Sequence, residues 1–200
     1  KFCLGSLLPA QLPSSAQFSL EPTPFSDGEA TPDAVSGARY QPLERLGAGG
    51  MGVVFRVLDR VTGETRALKR ARLQGASSAR IEEAFEREYQ TLASLDHPRI
   101  IRVFDYGVDE QGPFYTMELL GGSDLRRSER LPYRQACACL RDVATSLALL
   151  HARRLLHRDV SPGNVRMTAD GRCKLIDFGA LASFGVSEVV AGTPPAVAPE

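Results

Sequence analysis

Three polar side chains, Asp159, Asn164 and Asp177, have the types and spacing to act together on a phosphate ester. All three lie in the stretch 155–178, where the two aspartates come at the ends of short apolar, strand-like runs. Oxygen ligands held on rigid supports at the rim of a cleft suit a hard cation such as Mg²⁺ that is shared with phosphates. The stretch therefore predicts a site for metal-assisted phosphate chemistry.

The motifs around these side chains resemble the catalytic and metal-binding loops of the protein kinases. His-Arg-Asp at 157–159 precedes Asn164, and Asp-Phe-Gly occupies 177–179, an order typical of that family. The resemblance implies that Asp159 is the catalytic base or orienting group. It also implies that Asn164 and Asp177 bind Mg²⁺ and that ATP is the phosphate donor.

A glycine-rich segment, 46–54, precedes these motifs by about a hundred residues and matches Gly-x-Gly-x-x-Gly. Dinucleotide-binding folds share this pattern, but in them a helix follows at once. Here β-branched and aromatic residues follow at 53–58, and a second strand-like run covers 65–71. An ordinary glycine-rich hairpin would also fit. The kinase resemblance instead implies a flap over the nucleotide, with contacts from Leu46, Gly47, Gly49, Gly52 and Val54.

A lysine on the second of these strands is predicted to form an ion pair with a glutamate on the next helix. Ala67 and Lys69 share one strand face by the period of two, and the segment 66–69 occupies the place of the kinase Val-Ala-Ile-Lys motif. The resemblance implies a small side chain at a flat base and an ammonium at its phosphates. In the helical pattern at 79–95, Glu88 falls within the apolar stripe. A buried carboxylate requires a cation, so we pair Glu88 with Lys69, as the resemblance also implies. The alternative is that Glu88 reaches water from the edge of the stripe.

The segment 117–122 resembles the hinge between the two lobes of a kinase. It follows two strand-like runs, 100–108 and 113–118, that flank a glycine-containing turn. The resemblance implies that Met117 limits the depth of an adenine pocket. It further implies that the backbone of Glu118 and Leu120 bonds the edge of the adenine.

Two helices are predicted after the hinge. A short one covers 123–130 and a longer one covers 133–151. Apolar residues at helical spacing define the inner face of the longer helix. These are Ala136, Leu140, Val143, Leu147 and Leu150.

The catalytic loop departs from the kinase pattern at Ser161, where the family usually has a lysine that neutralises the γ-phosphate. Losing that charge could lower the rate by orders of magnitude. A pseudokinase, acting as a nucleotide-binding regulatory or scaffold domain, is therefore an alternative function. We interpret His157 as a packed structural residue.

The activation segment also carries family features. Arg158 is expected to pair with a phosphorylated or acidic residue in the loop 179–193, and Thr193 resembles the serine/threonine-specific type. The usual phosphorylated position corresponds to Val189, so we expect activity without phosphorylation there. A small-molecule phosphotransferase is a third option, which the segment 193–200 disfavours.

Composition argues against two classes of partner. Lys plus Arg and Asp plus Glu both number 24, so the net charge is zero and nucleic acid is not an expected partner. No run approaches the roughly 18 apolar residues of a membrane span. Cys137 and Cys139 are too close on one helix to pair or to bind zinc together, so we expect reduced thiols in a cytoplasmic protein.

These observations predict an α+β, bilobal protein kinase-like fold. Residues 1–38 are expected to form a disordered Pro/Ser-rich tail or linker, 39–120 the N-lobe and hinge, and 121–200 a partial C-lobe. We expect a piece of a longer protein with further domains, inactive in isolation. The resemblance implies transfer of the ATP γ-phosphate to Ser or Thr of protein substrates.

Overall fold

A five-stranded antiparallel sheet forms the first half of the structure, a computed structural model that describes residues 39–49, 52–73, 78–126 and 130–185. The strand order is β1-β2-β3-β5-β4. The strands are β1 Tyr40–Gly49, β2 Gly52–Asp59, β3 Thr65–Ala71, β4 Val103–Asp109 and β5 Gly112–Glu118. β3 has the predicted bounds, and β1 extends further into the glycine segment than predicted.

The two faces of this sheet have different surroundings, because successive side chains along each strand point to opposite faces. On one face Phe55, Val57, Leu68 and Phe114 are buried together in a small apolar cluster. On the other face of β3, Ala67 and Lys69 border a cavity. The sheet therefore carries a core on one side and functional groups on the other.

Helix α1, Ser78–Ser94, packs against β3, β4 and β5. Its buried residues are Phe85, Glu88 and Leu92, three members of the predicted inner stripe. Phe85 lies against the ring of Tyr115 on β5, with 5.0 Å between the ring centroids. The apolar stripe thus fixes the rotation of the helix so that Glu88 faces the sheet.

The second half combines one long helix with short strand pairs. Helix α2 is Tyr133–Ala152, and the strands are β6 Leu155–Leu156, β7 Val165–Met167, β8 Cys173–Leu175 and β9 Ala182–Ser183. β6 pairs with β9, β7 pairs with β8, and a 3₁₀ turn at Pro162–Asn164 precedes β7.

Backbone hydrogen bonds connect the segment before β4 to β8. The Ile101 amide donates to the Leu175 carbonyl at 3.1 Å, and the Leu175 amide donates to the Arg99 carbonyl at 2.8 Å. Because β8 leads directly into Asp177, this connection places that aspartate at a defined position relative to the sheet.

The short helix predicted at 123–130 is wrong for the part of it that the structure describes. Asp124 instead forms a backbone bridge with Arg166, and residues 125–126 form a turn after it. The Leu125 amide donates to the Val165 carbonyl at 3.0 Å. Pairing with β7 therefore replaces the local bonds that a helix would need, and residues 127–129 lie outside the described part.

The predicted inner face of α2 is wrong at Leu140, which is 70% exposed. Val143 and Leu150 are buried as predicted, but the face also includes Asp142 and Ser146. Hydrogen bonds allow these polar groups to be buried, since Ser146 donates to the Arg99 carbonyl at 2.9 Å. Apolar periodicity alone could not show a buried face with polar members.

A disulfide joins Cys139 on α2 to Cys173 on β8, so the expectation of reduced thiols is wrong for this pair. The short spacing between Cys137 and Cys139 rules out only a bond between those two residues, whereas the partner of Cys139 is Cys173, 34 residues away. Cys137 is an exposed free thiol.

Several predictions lie outside the described residues. These include the tail at 1–38 and the positions of Val189 and Thr193. Among the helices that are described, none has the length and apolar character needed to span a membrane.

Candidate active site

A cavity of about 300 Å³ lies between the sheet and the β7–β8 region. Each residue predicted to contact the nucleotide, apart from Gly52, lines it, as do both predicted metal ligands. The predicted residues that the structure brings together there are Leu46, Gly47, Gly49, Val54, Ala67, Lys69, Met117, Glu118, Leu120, Asn164 and Asp177.

The Lys69 ammonium is the centre of a three-member charge cluster at this cavity. Its Nζ lies 2.8 Å from Glu88 Oε1 and 3.2 Å from Asp177 Oδ1. Lys69 and Glu88 are buried, while nearly half of the Asp177 side chain is exposed, at 47%. A strand, a helix and a loop thus meet at one amine, with the Asp177 carboxylate open to the cavity.

Burial and charge act in opposite directions on these groups. Burial alone would lower the pKa of Lys69, but the negative charges of Glu88 and Asp177 contribute to raising it overall. Burial alone would raise the pKa of Asp177, but the Lys69 charge and hydrogen bond lower it overall. At neutral pH the amine is therefore protonated and the Asp177 carboxylate is ionised.

Asn164 connects the predicted base to the predicted metal site. Its Nδ2 donates to Asp159 Oδ2 at 2.7 Å and to the Asp159 carbonyl at 2.9 Å. Both partners only accept hydrogen bonds, so the Asn164 oxygen Oδ1 is the atom left to face a ligand. The Ile176 amide donates to the Asn164 carbonyl at 2.9 Å, which holds Asn164 beside Asp177.

The predicted packing role of His157 agrees with its surroundings. The residue is buried, and its ring meets the Phe178 ring edge to face at 4.8 Å between centroids. Its Nδ1 accepts a hydrogen bond from the Asp159 amide at 3.3 Å, and burial lowers its pKa. A neutral imidazole therefore supports the backbone of the catalytic loop.

Two non-glycine residues at the site have left-handed backbones. Arg158 and Asp177 both have φ of 62°, a conformation that costs energy in side-chain-bearing residues and often occurs at functional sites. Arg158 Nε donates to the Ala180 carbonyl at 2.7 Å. This bond links the catalytic loop to the start of the segment 179–193, whose end lies outside the described residues.

Within the glycine segment, the three predicted glycines have different surroundings. A Cβ at Gly52 would collide with the Arg70 carbonyl oxygen, whereas a Cβ at Gly47 or Gly49 would meet no atom within 4 Å. Gly52 therefore allows β2 to approach β3 closely and does not line the cavity. Gly47 and Gly49 leave open space at its edge.

Glu118 at the hinge is held by both of its polar groups. Its amide N–H donates to the Arg102 carbonyl at 2.9 Å, so any backbone bond from Glu118 to a base would have to use its carbonyl oxygen. Its carboxylate accepts from Lys174 Nζ at 2.5 Å and from the Arg102 amide at 2.8 Å. The Lys174 contact connects the hinge to β8.

Sequence reasoning missed several residues that line the cavity. Tyr115 shares the face of β5 with Met117, and the period of two along that strand could have found it. Arg166 and Ile176 had no signal beyond their places next to Asn164 and Asp177. The missed lining residues also include Ala48, Ile101, Leu119 and Gly163.

A strand-rich lobe with one helix, a glycine segment, an ion pair from strand to helix, and paired catalytic and metal-binding loops together define a protein kinase. The chain belongs to the protein kinase domain family, which it matches over residues 40–200.

Curated relatives give the subclass that this chain resembles. It is 35% identical over 176 residues to the serine/threonine-protein kinase PknA of Mycobacterium tuberculosis, covering 81% of this chain and 41% of that protein. It is 34% identical over 186 residues to serine/threonine-protein kinase PksC of Streptomyces coelicolor, covering 84% and 34%. It is 35% identical over 176 residues to serine/threonine-protein kinase PknL of Mycobacterium bovis, covering 84% and 44%. The matched region thus spans less than half the length of each of these relatives.

Proposed function

We propose that this chain carries the nucleotide-binding and catalytic loops of a kinase that transfers the γ-phosphate of ATP to Ser or Thr of protein substrates. The carrying observation is that Lys69 Nζ lies within 3.2 Å of both Glu88 and Asp177 on the wall of one cavity. Phosphoryl transfer depends mainly on positioning and charge neutralisation, and this cluster supplies a fixed cation beside an open carboxylate.

The cavity suits a nucleotide along its length. All of Ala67, Met117, Glu118 and Leu120 line it; Ala67 would leave room for a flat base, Met117 would limit the depth of its pocket, and the hinge backbone would bond the base edge. Lys69, held by Glu88, would contact the α and β phosphates. The glycines at 47 and 49 would allow the backbone to close over them.

The oxygen ligands at the phosphate end suit Mg²⁺. Asp177 presents a carboxylate that is partly open to the cavity, and Asn164 presents Oδ1 because its nitrogen is bound to Asp159. Two protein oxygens completed by phosphate and water oxygens are typical of magnesium shared with a nucleotide. Mg²⁺ would neutralise the charge of the phosphates during transfer.

Asp159 is the proposed base for the acceptor hydroxyl. Its Oδ2 is fixed by Asn164 at 2.7 Å, which orients the carboxylate relative to the metal ligands. A carboxylate positioned in this way can accept the proton of a Ser or Thr hydroxyl as the oxygen attacks the γ-phosphate.

The pseudokinase alternative rested on Ser161, and the comparisons do not favour it, because the matched relatives are serine/threonine-protein kinases.

We propose that Arg126 supplies the charge that Ser161 lacks. A Cβ at Gly163 would lie 3.9 Å from the Arg126 guanidinium carbon, which places this cation beside the catalytic loop. Arg126→Ala should lower transfer by about tenfold, and unchanged transfer would exclude this role.

Incubation of the full-length protein with radiolabelled ATP, Mg²⁺ and a protein acceptor tests the proposed function. Asp159→Asn should reduce label transfer by at least about a hundredfold, since it removes the base. Asp170→Asn is the matched control, because Asp170 is an exposed carboxylate in the β7–β8 turn. Equal label from the wild type and Asp159→Asn would refute the kinase assignment.

The lobe boundaries, a cytoplasmic location and further domains remain predictions from the sequence. The nature of the protein substrate is likewise part of the proposal. Phosphoamino acid analysis of the labelled acceptor would separate Ser/Thr transfer from transfer to tyrosine.

A further inference from the structure

A buried tyrosine hydroxyl touches the Lys69–Glu88 pair and has no part in the scheme above. Tyr115 O–H donates to Glu88 Oε1 at 3.0 Å, the same oxygen that accepts from Lys69 Nζ at 2.8 Å. Tyr115 is 1% exposed. The glutamate oxygen thus receives two donors, one from each of two neighbouring strands.

The backbone fixes Tyr115 relative to Lys69. The two residues are direct partners in the pairing of β3 with β5, and the Lys69 Nζ lies 5.8 Å from the centre of the Tyr115 ring. Glu88, by contrast, is on α1, which packs against the sheet and is not one of its strands. The Tyr115 hydroxyl is therefore a donor fixed by the sheet, and it can hold the Glu88 carboxylate, which belongs to a helix.

Glu88 needs such a donor because Glu88 is not the only acceptor for the Lys69 ammonium. Its Nζ is shared between Glu88 and Asp177, and phosphates would compete for the same protons. A second donor that depends on neither Lys69 nor the phosphates would keep the Glu88 carboxylate in place while the lysine contacts them. Burial raises the pKa of Tyr115, so the hydroxyl keeps its proton at neutral pH.

We propose that Tyr115 is a positioning residue that holds the Glu88 carboxylate against Lys69 for nucleotide binding. This inference rests on the proposed function, since it assigns Lys69 to the phosphates. It predicts that loss of a single oxygen atom weakens the use of ATP while the binding of the protein acceptor is unaffected.

The test is Tyr115→Phe in the full-length protein, with Tyr89→Phe as the matched control. Tyr89 belongs to the same aromatic cluster, with its ring 5.9 Å from that of Tyr115, but its hydroxyl donates to the Phe104 carbonyl at 2.9 Å. Both variants lose one hydroxyl and one hydrogen bond. Only Tyr115→Phe loses a donor to Glu88.

We expect Tyr115→Phe to lower kcat/KM for ATP by about tenfold, equivalent to about 1.4 kcal/mol, mainly through a higher KM for ATP. The KM for the protein acceptor should stay within about twofold, and Tyr89→Phe should leave kcat/KM for ATP within about twofold. In a Glu88→Gln background, where the acceptor is neutral, the Tyr115→Phe effect should shrink to about twofold.

Equal effects of Tyr115→Phe and Tyr89→Phe, or an undiminished effect in the Glu88→Gln background, would overturn the proposal and leave the kinase assignment intact. A wild type without transfer would refute the kinase assignment instead. In that case the wild type, Tyr115→Phe and Tyr89→Phe are compared by their affinity for Mg²⁺ and a fluorescent ATP analogue. A tenfold loss in Tyr115→Phe alone would support the positioning role, and equal affinities would refute it.

Discussion

Replacing Glu88 by Gln tests the central ion pair with the smallest change of shape. The substitution removes the negative charge but keeps a group that can accept hydrogen bonds from Lys69 and Tyr115. The Lys69–Glu88 distance of 2.8 Å corresponds to an attraction of about 6 kcal/mol at an effective dielectric constant of 20. Desolvation of the two buried groups offsets much of this attraction.

The expected loss follows from what remains in the variant. Removing one partner of a buried pair costs about 3–5 kcal/mol when the other charge is left alone. Here Lys69 keeps Asp177 at 3.2 Å, and the amide keeps the hydrogen bonds. We therefore expect a loss of about 2 kcal/mol in transition-state binding, or roughly a 30-fold lower kcat/KM for ATP.

The control is the same substitution on the same helix. Glu83 pairs with Arg87 at 3.9 Å, and its side chain is 72% exposed, so Glu83→Gln should change kcat/KM by less than about twofold. The measurement is radiolabelled phosphate transfer by full-length protein over a range of ATP concentrations at saturating acceptor, with thermal melts to verify folding. Folded Glu88→Gln protein that retains more than half of the wild-type kcat/KM would refute the assignment of Lys69 to the phosphates.

Three further predictions concern the scaffold. Gly52→Ala should destabilise the protein by about 2 kcal/mol or more because the new methyl group collides with a backbone carbonyl, whereas Gly49→Ala should be nearly neutral. Urea unfolding would compare the two variants. Equal unfolding midpoints would count against the close approach of β2 to β3. The Cys139–Cys173 disulfide joins residues 34 positions apart, so its reduction should lower the free energy of unfolding by about 3–4 kcal/mol. The measurement is the melting temperature with and without dithiothreitol. An unchanged melting temperature would argue against the bond. The hydrogen bond from Arg172 lowers the pKa of Asp142 to about 2. The ionised Asp142 carboxylate therefore stabilises the fold fully above the unfolded-state pKa near 4, and about 1–2 kcal/mol of stability is lost as pH falls toward 2. Unfolding of Asp142→Asn should accordingly depend less on pH between 6 and 3 than that of the wild type, and parallel profiles would contradict this role.

Local signals predicted the elements that carry the site. The strand-like run 65–71 coincides with β3, and the helical pattern 79–95 is shifted by one residue from α1, Ser78–Ser94. Both segments have regular periodicity and clear turn residues at their ends, and such patterns depend on near neighbours in the chain. The bounds could therefore be predicted without knowledge of the rest of the fold.

The errors came from contacts between distant segments. Residues 123–126 do not form a helix because their backbone pairs with β7. The inner face of α2 includes Asp142 because Arg172 reaches it from beside β8, with Nη2 at 2.6 Å. The disulfide likewise joins α2 to β8. In each case the partner is a side chain or strand whose position is decided by the fold, and no local pattern encodes it.

The Lys69–Glu88 pair also joins two separate elements, since the residues are 19 positions apart, yet it was predictable. Glu88 lies on an apolar stripe, and an unpaired buried charge is costly enough that a cation must lie nearby. The same reasoning did not reach Tyr115, because a buried tyrosine is ordinary in an apolar strand and its hydroxyl leaves no trace in the hydrophobic pattern. Sequence can thus reveal a site through the charges it must neutralise, whereas neutral groups that position those charges become visible only in the folded structure.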